Sequence, residues 1–361
     1  MDRTESPRAL RIINSVAPIR ICDNGGWTDT WFARHGKIFN IAVYPYAEVQ
    51  MRVIPSISAR TRITIHAENY GQRYTIDKPE KGAGRTGEGG YTKHPLLEAA
   101  LEYMHIPDHL ALEISIYSEA PAGGSTGTSA AVSVALIGAL DRLTPGVMTA
   151  HEVARTAHKI ETEVLRQQCG IQDQLASAYG GINFIEMEEY PRAVISPIQV
   201  PNSIWWELER RLALVFLGQS HNSSETHRMV IRGLENAGPE APQLTPLRQT
   251  AGRSRDALFA GDFAGLGQAM IDNTEAQRAL HPDLVSTAHQ AIIDTARAHG
   301  ALGWKVNGAG GDGGSVTILA GADMPRKRAM LQAIEALNTR FQNIPIYLSR
   351  AGLRVWEAPA E

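Results

Sequence analysis

The sequence of 361 residues predicts an α+β fold in two domains. Three observations support this fold class. The chain opens with segments rich in Ile, Val and Tyr, residues 110–140 run from a strand pattern through a Gly-rich loop into a helix pattern, and prolines punctuate residues 190–205. We therefore expect an N-terminal domain over residues 1–200 and a C-terminal domain over residues 201–361.

The first elements of the chain are predicted to be strands. Residues 9–13 and 38–54 have the β-branched and aromatic composition of strands, and the Gly-bearing loop CDNGGWTDT lies between them. Residues 57–76 continue with alternating polar and apolar side chains. Residues 94–105 then carry apolar side chains at helical spacing, which predicts the first helix.

The remaining elements follow in mixed order. A strand over residues 110–121 leads through the Gly-rich loop into a helix, and a further helix is predicted over residues 150–168. The strand segments GINFIEM and AVISPIQV come next. Helix patterns occupy residues 225–300, and the chain ends with WKVNGAGGDGGSVTILA, a final helix and a short strand.

The charge balance excludes several classes of partner. Lys and Arg number 35 against 38 Asp and Glu, a formal net charge of −3, so we expect neither nucleic-acid nor membrane-surface binding. The two cysteines, Cys22 and Cys169, lack metal-ligand spacing, and the N-terminal segment is polar. We expect a cytoplasmic protein that acts on small molecules, as a monomer or homodimer.

The strongest local motif is the segment PAGGSTGTSAA over residues 121–131. Its small residues precede a helix N-terminus, where free backbone N–H groups and the positive end of the helix dipole can bind phosphate. The segment lacks the signatures of a P-loop and of a dinucleotide fold. By residues alone, a phosphate site and an ordinary helix start remain alternatives, although hydroxyls at Thr128 and Ser129 suit a nucleotide-bound Mg²⁺.

A second Gly cluster, GAGGDGG, covers residues 308–314 before a strand pattern. In isolation it is more readily a flexible hairpin loop than a ligand-binding turn. Together with APIRICDNGGWTD at residues 17–29 and the segment at 121–131, however, it resembles the three ordered motifs of the GHMP kinases. That superfamily is named for galactokinase, homoserine kinase, mevalonate kinase and phosphomevalonate kinase.

Two segments resemble particular branches of this superfamily. GGWTDT is similar to the sugar-binding loop of the L-fucose kinases, and EVLRQQCGIQDQLASAYGGINFIE is similar to the bacterial D-glycero-D-manno-heptose phosphate kinases. The resemblance implies an N-terminal domain like that of ribosomal protein S5 and a ferredoxin-like C-terminal domain. ATP and the substrate would bind in the cleft between them.

The resemblance also implies roles for individual residues. Asp173 matches the general base, and Arg20 matches the basic residue that keeps this carboxylate ionised. Glu161 and Ser129 match the Mg²⁺-binding groups, with Glu163 as the competing acidic residue. The loop expected to bind the phosphates of ATP comprises Gly123, Gly124, Ser125, Thr126, Gly127, Thr128, Ser129 and Ala130.

The substrate side is assigned in the same way. Asp29 matches the Asp that binds sugar hydroxyls, and Thr28 is expected to contact the sugar beside it. Trp27 is assigned either to the sugar's apolar face or to the core. Gly310 and Gly311 of the third motif complete the expected substrate-binding set.

Three departures from the family pattern bear on the substrate. Ser125 stands where the phosphate loop usually has Gly, Asp312 introduces a carboxylate into the third motif, and His221 stands where heptose and fucose kinases typically carry Arg. Replacing a permanent cation by His favours a neutral sugar over a phosphorylated one. We therefore expect a Mg-ATP-dependent kinase acting on a hydroxyl, most simply the anomeric one, of an L-fucose-like sugar. The alternatives are a heptose 7-phosphate kinase and a catalytically silent sugar- or ATP-binding sensor.

Overall fold

The computed structural model describes residues 9–59, 61–76, 91, 93–219, 223–234 and 237–359. His221 lies outside these residues. The described chain contains two β-sheets with helices packed against them, which confirms the predicted α+β class. The strands are β1 (Arg11–Asn24), β2 (Gly36–Pro55), β3 (Ile63–Ala67), β4 (Gln72–Ile76), β5 (Leu110–Ser118), β6 (Ile182–Glu189), β7 (Arg192–Pro197), β8 (Leu212–Phe216), β9 (Gly303–Val306), β10 (Ser315–Leu319), β11 (Gln342–Ile344), β12 (Tyr347–Leu348) and β13 (Arg354–Ala358).

The helices lie between and beside these strands. They are α1 (Pro95–Tyr103), α2 (Thr128–Asp141), α3 (Ala150–Lys159), α4 (Gln172–Tyr179), α5 (Asn202–Arg211), α6 (Ser223–Leu234), α7 (Leu244–Phe259), α8 (Phe263–Leu280), α9 (Thr287–Ala298) and α10 (Met324–Leu337). Among the described helices none is both long enough and apolar enough to cross a bilayer.

The larger sheet is organised around β2, which has 20 residues and pairs differently at its two ends. Residues 36–41 of β2 pair antiparallel with β6, whereas residues 47–55 pair with β5. β1 pairs along β2 with a register shift between Pro18 and Ile19. β1 extends beyond the predicted 9–13 strand to Asn24, so that Arg20 lies on a strand at the edge of the site.

Helix α2 explains how the Gly-rich loop is held. Ala, Val, Leu and Ile occupy all of its faces, and ten of the eleven positions from Ala130 to Leu140 are buried, Val132 being the exception. The helix packs on β1 and β2 and against α4. Its N-terminus is therefore fixed in the interior, directly after the loop that follows β5.

The smaller sheet is antiparallel, in the order β11-β8-β10-β9, and has its own hydrophobic core with α9 and α10. The C-terminal segment then returns to the larger sheet, because β12 pairs with β2 and β13 pairs with β1. The division at residue 200 stays a prediction, but the residues from Tyr347 onward are built into the first sheet. The sequence predicts one short strand after the last helix, whereas the structure has three, β11, β12 and β13.

The helix predicted over residues 150–168 ends early. α3 begins at a capping box, in which the Thr149 hydroxyl accepts from the backbone of Glu152 and the Glu152 carboxylate accepts from the backbone of Thr149. It ends at Lys159 and continues as one π-helical turn, Ile160–Val164. Such single turns are frequent at functional sites because they re-aim side chains.

Candidate active site

A cavity of about 860 Å³ lies where the loop after β5 meets the N-terminus of α2. This size is in the range of small-molecule and cofactor sites. All eight residues of the predicted phosphate loop, Gly123 to Ala130, line it. The structure therefore places the strongest sequence motif at the floor of the cavity.

The N-terminus of α2 presents unpaired donors to this cavity. Gly127 is the residue before the helix, with φ of 69°, and no described side chain caps the first turn. The first helical bond of this turn runs from the Ala131 N–H to the Gly127 carbonyl, 3.0 Å away. Helix geometry gives the Thr128, Ser129 and Ala130 N–H groups no partner within α2, so they can bind an anion, and the helix dipole adds to their attraction.

Arg20 and Asp173 form an ion pair beside this loop. Arg20 Nε donates to Asp173 Oδ1 at 2.8 Å and Nη2 donates to Oδ2 at 3.2 Å. Arg20 Nη1 also donates to the Ser125 carbonyl, and the Arg20 backbone N–H donates to the Thr126 carbonyl at 2.9 Å. The Arg20 side chain is 5% exposed and that of Asp173 28% exposed, so the carboxylate is the member of the pair that a ligand can reach.

Burial by itself would lower the pKa of Arg20, but the charges of Asp173 and Asp23 raise it above its ordinary value. The guanidinium is therefore permanently charged beside the carboxylate. The absence of a side chain at Gly127 lets the Arg20–Asp173 pair approach the start of α2 closely. A Cβ placed there would lie 3.2 Å from Asp173 Cγ and 3.4 Å from Arg20 Cγ.

Asp29 lies in the same wall of the cavity. Its Oδ2 accepts from the Gln172 backbone N–H at 3.1 Å, and Gly170 packs directly against the carboxylate. The pKa of Asp29 is raised to about 6, because burial and the charge of Asp173 outweigh the lowering effect of the Gln172 hydrogen bond. Asp29 and Asp173 thus face one cavity as two carboxylates in different environments.

The other two residues of the WTDT segment have different positions. Thr28 does not line the cavity: its buried hydroxyl donates to the Gly25 carbonyl at 2.7 Å and accepts from the Lys37 N–H at 3.2 Å. The expected sugar contact of Thr28 does not fit this position, and Thr30 lines the cavity instead. Trp27 both lines the cavity and packs in a hydrophobic cluster with α6 and α7, and its φ of 77° is unusual for a bulky residue.

The π-helical turn distinguishes the two acidic metal candidates. Glu161 is buried and lines the cavity, whereas Glu163 is exposed and is not among the lining residues. The pKa of Glu161 is raised to about 7, because burial and the charge of Asp173 outweigh the lowering effect of hydrogen bonds from the Cys169 thiol and the Gln174 amide. The Gln174 bond measures 2.6 Å. Only neutral donors are described around this carboxylate.

We tested whether this donor set suits Mg²⁺. The described residues contain no cluster of three His, Cys, Asp or Glu side chains that could enclose a metal ion. Mg²⁺ at a nucleotide site takes one or two protein ligands and completes its shell with phosphate and water. The Ser129 hydroxyl and the Glu161 carboxylate, both lining the cavity, fit that requirement, and a cation would offset the buried charge of Glu161.

The third motif meets the site at its first two residues. Gly308 and Ala309 line the cavity, but Gly310 and Gly311 do not. A Cβ on Gly310 would lie 2.0 Å from the Leu284 carbonyl, and the Gly311 N–H donates to that same carbonyl at 3.2 Å. The expected substrate contacts of Gly310 and Gly311 do not fit this packing. Asp312 is exposed and outside the lining, so its carboxylate is directed away from the phosphate loop.

Sequence reasoning missed the opposite end of the cavity. That end is lined mainly by apolar and aromatic residues from the end of β3, the start of α1 and the end of β5: Ala67, Tyr70, His94, Leu96, Ile116 and Tyr117. The Tyr70 and His94 ring centroids are 5.1 Å apart. Asn69 holds this wall together, because its side chain exchanges two hydrogen bonds with the Ser118 backbone. No local pattern connects these segments, which converge only in the folded chain.

Cys169 was also missed as a site residue. Its thiol donates to Glu161, and its carbonyl accepts from the Tyr190 hydroxyl at 3.1 Å. Tyr190 in turn contacts His158 Nε2 at 2.8 Å. This chain of contacts fixes the turn in which Cys169 contacts Glu161 and Gly170 packs against Asp29.

Comparison with known proteins supplies the family context. Residues 95–181 match the family described as GHMP kinases N terminal domain. A mevalonate kinase of Thermococcus sibiricus is 30% identical over 254 residues, which is 67% of this chain and 68% of that protein. A D-glycero-alpha-D-manno-heptose 7-phosphate kinase of Campylobacter jejuni is 29% identical over 206 residues, 56% of this chain and 60% of that protein.

A third protein is similar over most of the chain. It is the bifunctional fucokinase/GDP-fucose pyrophosphorylase of Arabidopsis thaliana, 24% identical over 345 residues, 92% of this chain but 32% of that protein. The matched region thus spans less than two thirds of the Campylobacter and Arabidopsis proteins. Among solved structures, a D-glycero-D-manno-heptose 1-phosphate kinase from Bacteriodes thetaiotaomicron has a TM-score of 0.73 at 22% identity, covering 96% of this chain and all of that one. This likeness establishes a shared fold.

Proposed function

The chain belongs to the GHMP kinase superfamily, and from that membership we propose that it is a sugar kinase. In this proposal it transfers the γ-phosphoryl group of Mg-ATP to a hydroxyl of a monosaccharide. One observation carries the proposal: the Arg20–Asp173 pair lies against the N-terminal loop of α2, within one cavity. This arrangement provides a base, a fixed cation and an anion-binding loop in contact with one another.

The loop from Gly123 to Ala130 binds the phosphates of ATP through backbone N–H groups. An oriented helix start stabilises the phosphate charge without reorganising during the reaction. The apolar end beside Tyr70 and Leu96 accommodates the adenine base of ATP, because it combines an aromatic ring with a flat apolar wall. ATP then spans the cavity from this apolar end to the acidic end.

Asp173 acts as the general base on the acceptor. Its carboxylate accepts the proton of the attacking hydroxyl as the bond from that oxygen to the γ-phosphorus forms, and ADP leaves with the electron pair of the broken P–O bond. Arg20 holds Asp173 in one orientation, since its guanidinium donates to both carboxylate oxygens. Ser125 and Thr126 hold Arg20 in turn through their carbonyl groups.

Glu161 and Ser129 would hold Mg²⁺. When bound, the cation offsets phosphate charge and favours one orientation of the triphosphate. The two side chains that donate to Glu161, those of Cys169 and Gln174, are neutral, so no described ion pair competes with Mg²⁺ for this carboxylate.

The acceptor side favours an uncharged, polyhydroxylated substrate. Asp29, Asp173 and Glu161 all line this end, and Arg20 is already paired. Carboxylates accept hydrogen bonds from hydroxyl groups and repel a substrate carboxylate or phosphate. These charges favour a neutral sugar over an anionic acceptor such as mevalonate. The similarity of GGWTDT to the sugar-binding loop of the L-fucose kinases makes an L-fucose-like sugar the first candidate, with the anomeric hydroxyl as the proposed acceptor. The similarity to the Campylobacter jejuni protein makes a heptose 7-phosphate the second candidate.

The test is ADP release by the purified protein with Mg-ATP over a panel of acceptors. The panel contains L-fucose, D-mannose, D-galactose, L-arabinose and heptoses with and without a 7-phosphate, with mevalonate as a comparison. We expect turnover on a neutral sugar. Turnover confined to a phosphosugar would select the heptose candidate. Calorimetric binding of ATP and sugar without ADP release on any acceptor would overturn the kinase and leave a sensor.

A further inference from the structure

A buried ion pair joins the third motif to the strand that carries Arg20. Lys305 Nζ lies 3.2 Å from Asp23 Oδ1, and both side chains are 1% exposed. Lys305 Nζ also donates to Gln277 Oε1 at 2.9 Å and to the Val306 carbonyl. The amine is thereby surrounded by acceptors inside the protein, which is the condition under which a buried cation is tolerated.

Asp23 extends this contact into the cavity wall. Both of its carboxylate oxygens accept from the Gly308 N–H, at 3.0 and 3.2 Å. Gly308 in turn packs against the phosphate loop, since a Cβ placed on it would lie 3.1 Å from Ser125 Cβ and 3.4 Å from Arg20 Nη2. The position of Gly308 therefore depends on Asp23.

A second set of contacts joins the end of β9, the strand that carries Lys305, to the phosphate loop. Asn307 Oδ1 accepts from the Cys22 N–H at 3.1 Å, and Asn307 Nδ2 donates to the Ser315 hydroxyl at 3.0 Å. Ser315 donates onward to the Gly124 carbonyl at 2.6 Å. Asn307, the residue after β9, thus contacts β1 directly through Cys22. It contacts the phosphate loop through Ser315.

The charges at this junction explain why a lysine is needed. Arg20 is three residues from Asp23 in sequence, and the charge of Asp23 acts on it together with that of Asp173. An uncompensated Asp23 would compete with Asp173 for the guanidinium. Lys305 pairs with Asp23, which leaves Arg20 to pair with Asp173 and with the Ser125 carbonyl.

We propose that Lys305 is a positioning residue of the phosphoryl-transfer site, acting through Asp23 on Arg20 and on the phosphate loop. This inference rests on the proposed kinase function for its catalytic consequence, but its effect on nucleotide binding does not. Lys305 touches no ligand in this proposal. It holds the residues that do.

The experiment compares Lys305→Met, the double variant Asp23→Asn/Lys305→Met and the control Lys327→Met. Lys327 also donates to backbone carbonyls, those of Arg210 and Leu212, and is not among the cavity-lining residues, so its loss removes a similar amine at another place. The readouts are the Kd of Mg-ATP by calorimetry, kcat and KM from ADP release, and the midpoint of thermal unfolding.

For Lys305→Met we expect an Mg-ATP Kd raised about tenfold, and a kcat lowered about 100-fold because small displacements of reacting groups have effects of that size. The acceptor KM should change little. The double variant should restore the Kd to within about threefold of wild type, since it removes the uncompensated charge and keeps an acceptor for Gly308. Lys327→Met should match wild type in Kd and kcat.

The proposal is overturned if Lys305→Met binds Mg-ATP and turns over like wild type, or if the double variant is no better than the single one. It is also overturned if Lys327→Met is equally impaired, because the effect is then one of general stability. If Lys305→Met does not fold, the test rests on the double variant, whose Mg-ATP Kd must lie within about threefold of wild type. A weaker Kd then overturns the proposal. If wild type binds Mg-ATP without turnover on any acceptor, the proposed function fails while the Kd comparison still tests the junction.

Discussion

Arg20 holds both carboxylate oxygens of Asp173, at 2.8 and 3.2 Å, with its Nη1 on the Ser125 carbonyl. The two residues are 153 positions apart in sequence and come from β1 and from the first turn of α4. One guanidinium therefore joins the proposed base to the phosphate loop. A displacement of either would displace the other.

Asp173→Asn should lower kcat by about 10²- to 10⁴-fold, because the amide cannot accept the hydroxyl proton. The similar size of Asn and its remaining bond to Arg20 should leave the Kd of Mg-ATP within a few-fold of wild type. ADP release and calorimetry measure the two quantities. Asp272→Asn, which removes a carboxylate from an exposed pair with Arg253, is the matched control and should behave as wild type. An Asp173→Asn enzyme of normal kcat would exclude this residue as the base.

Glu161→Gln should stabilise the protein free of ligands at pH 8. The folded-state pKa of Glu161, about 7, is above its ordinary value of 4.5, so the folded state binds the proton more tightly. The wild-type free energy of unfolding therefore falls as pH rises from 4.5 to 7, by up to about 3 kcal/mol from this group. Gln removes the dependence, and its advantage should vanish below pH 4.5.

Thermal unfolding of both proteins between pH 4 and 8 measures this difference. In the same series Mg-ATP should stabilise wild type at pH 8 more than Glu161→Gln, because the variant lacks the proposed metal ligand. Glu163→Gln serves as the control, since Glu163 is exposed and should leave both profiles unchanged. An equal pH profile for Glu161→Gln and wild type would contradict the buried carboxylate.

Ser125→Gly should increase the free energy of unfolding by about 0.5–1 kcal/mol. Ser125 has a φ of 58°, a left-handed conformation that Gly adopts without strain. Chemical denaturation measures the change. Ser129→Gly is the comparison: Ser129 lies in the first turn of α2, where Gly should destabilise by about 0.5–1 kcal/mol. Destabilisation by both substitutions would show that the contacts of the Ser125 side chain stabilise the protein by more than its backbone strain destabilises it.

Gly170→Ala should impair acceptor binding selectively. A Cβ at this position would lie 1.9 Å from Asp29 Oδ2, so the carboxylate must move. We expect the acceptor KM to rise at least about tenfold, as for loss of a charged hydrogen bond, with the Kd of Mg-ATP unchanged. Gly252→Ala in α7, where the added Cβ meets nothing within 4 Å, is the control. An unchanged acceptor KM for Gly170→Ala would argue against Asp29 as a sugar contact.

The local motifs alone predicted a Gly-rich loop before a helix and the mixed fold class. These depend on short-range chemistry: small residues permit positive φ at Gly123 and Gly127, and the apolar run that follows favours a buried helix. The motifs left a phosphate site and an ordinary helix start as alternatives, and the resemblance to a family selected the phosphate site. The assignment of Arg20 and Asp173 needed the resemblance to a family, because nothing local connects a strand Arg with a helix Asp. The structure brings both to the cavity.

The choice among neighbouring residues was decided only by tertiary structure. Glu161 faces the cavity and Glu163 is exposed, because residues two positions apart lie on different faces of a helical turn and packing decides which face meets the cavity. Similarly, Gly308 meets the phosphate loop while Gly310 meets Leu284. A sequence pattern specifies which residue types are close along the chain, but which face of a turn meets a ligand depends on packing from distant elements. The Asp23–Lys305 pair, 282 positions apart in sequence, has no local signature for that reason.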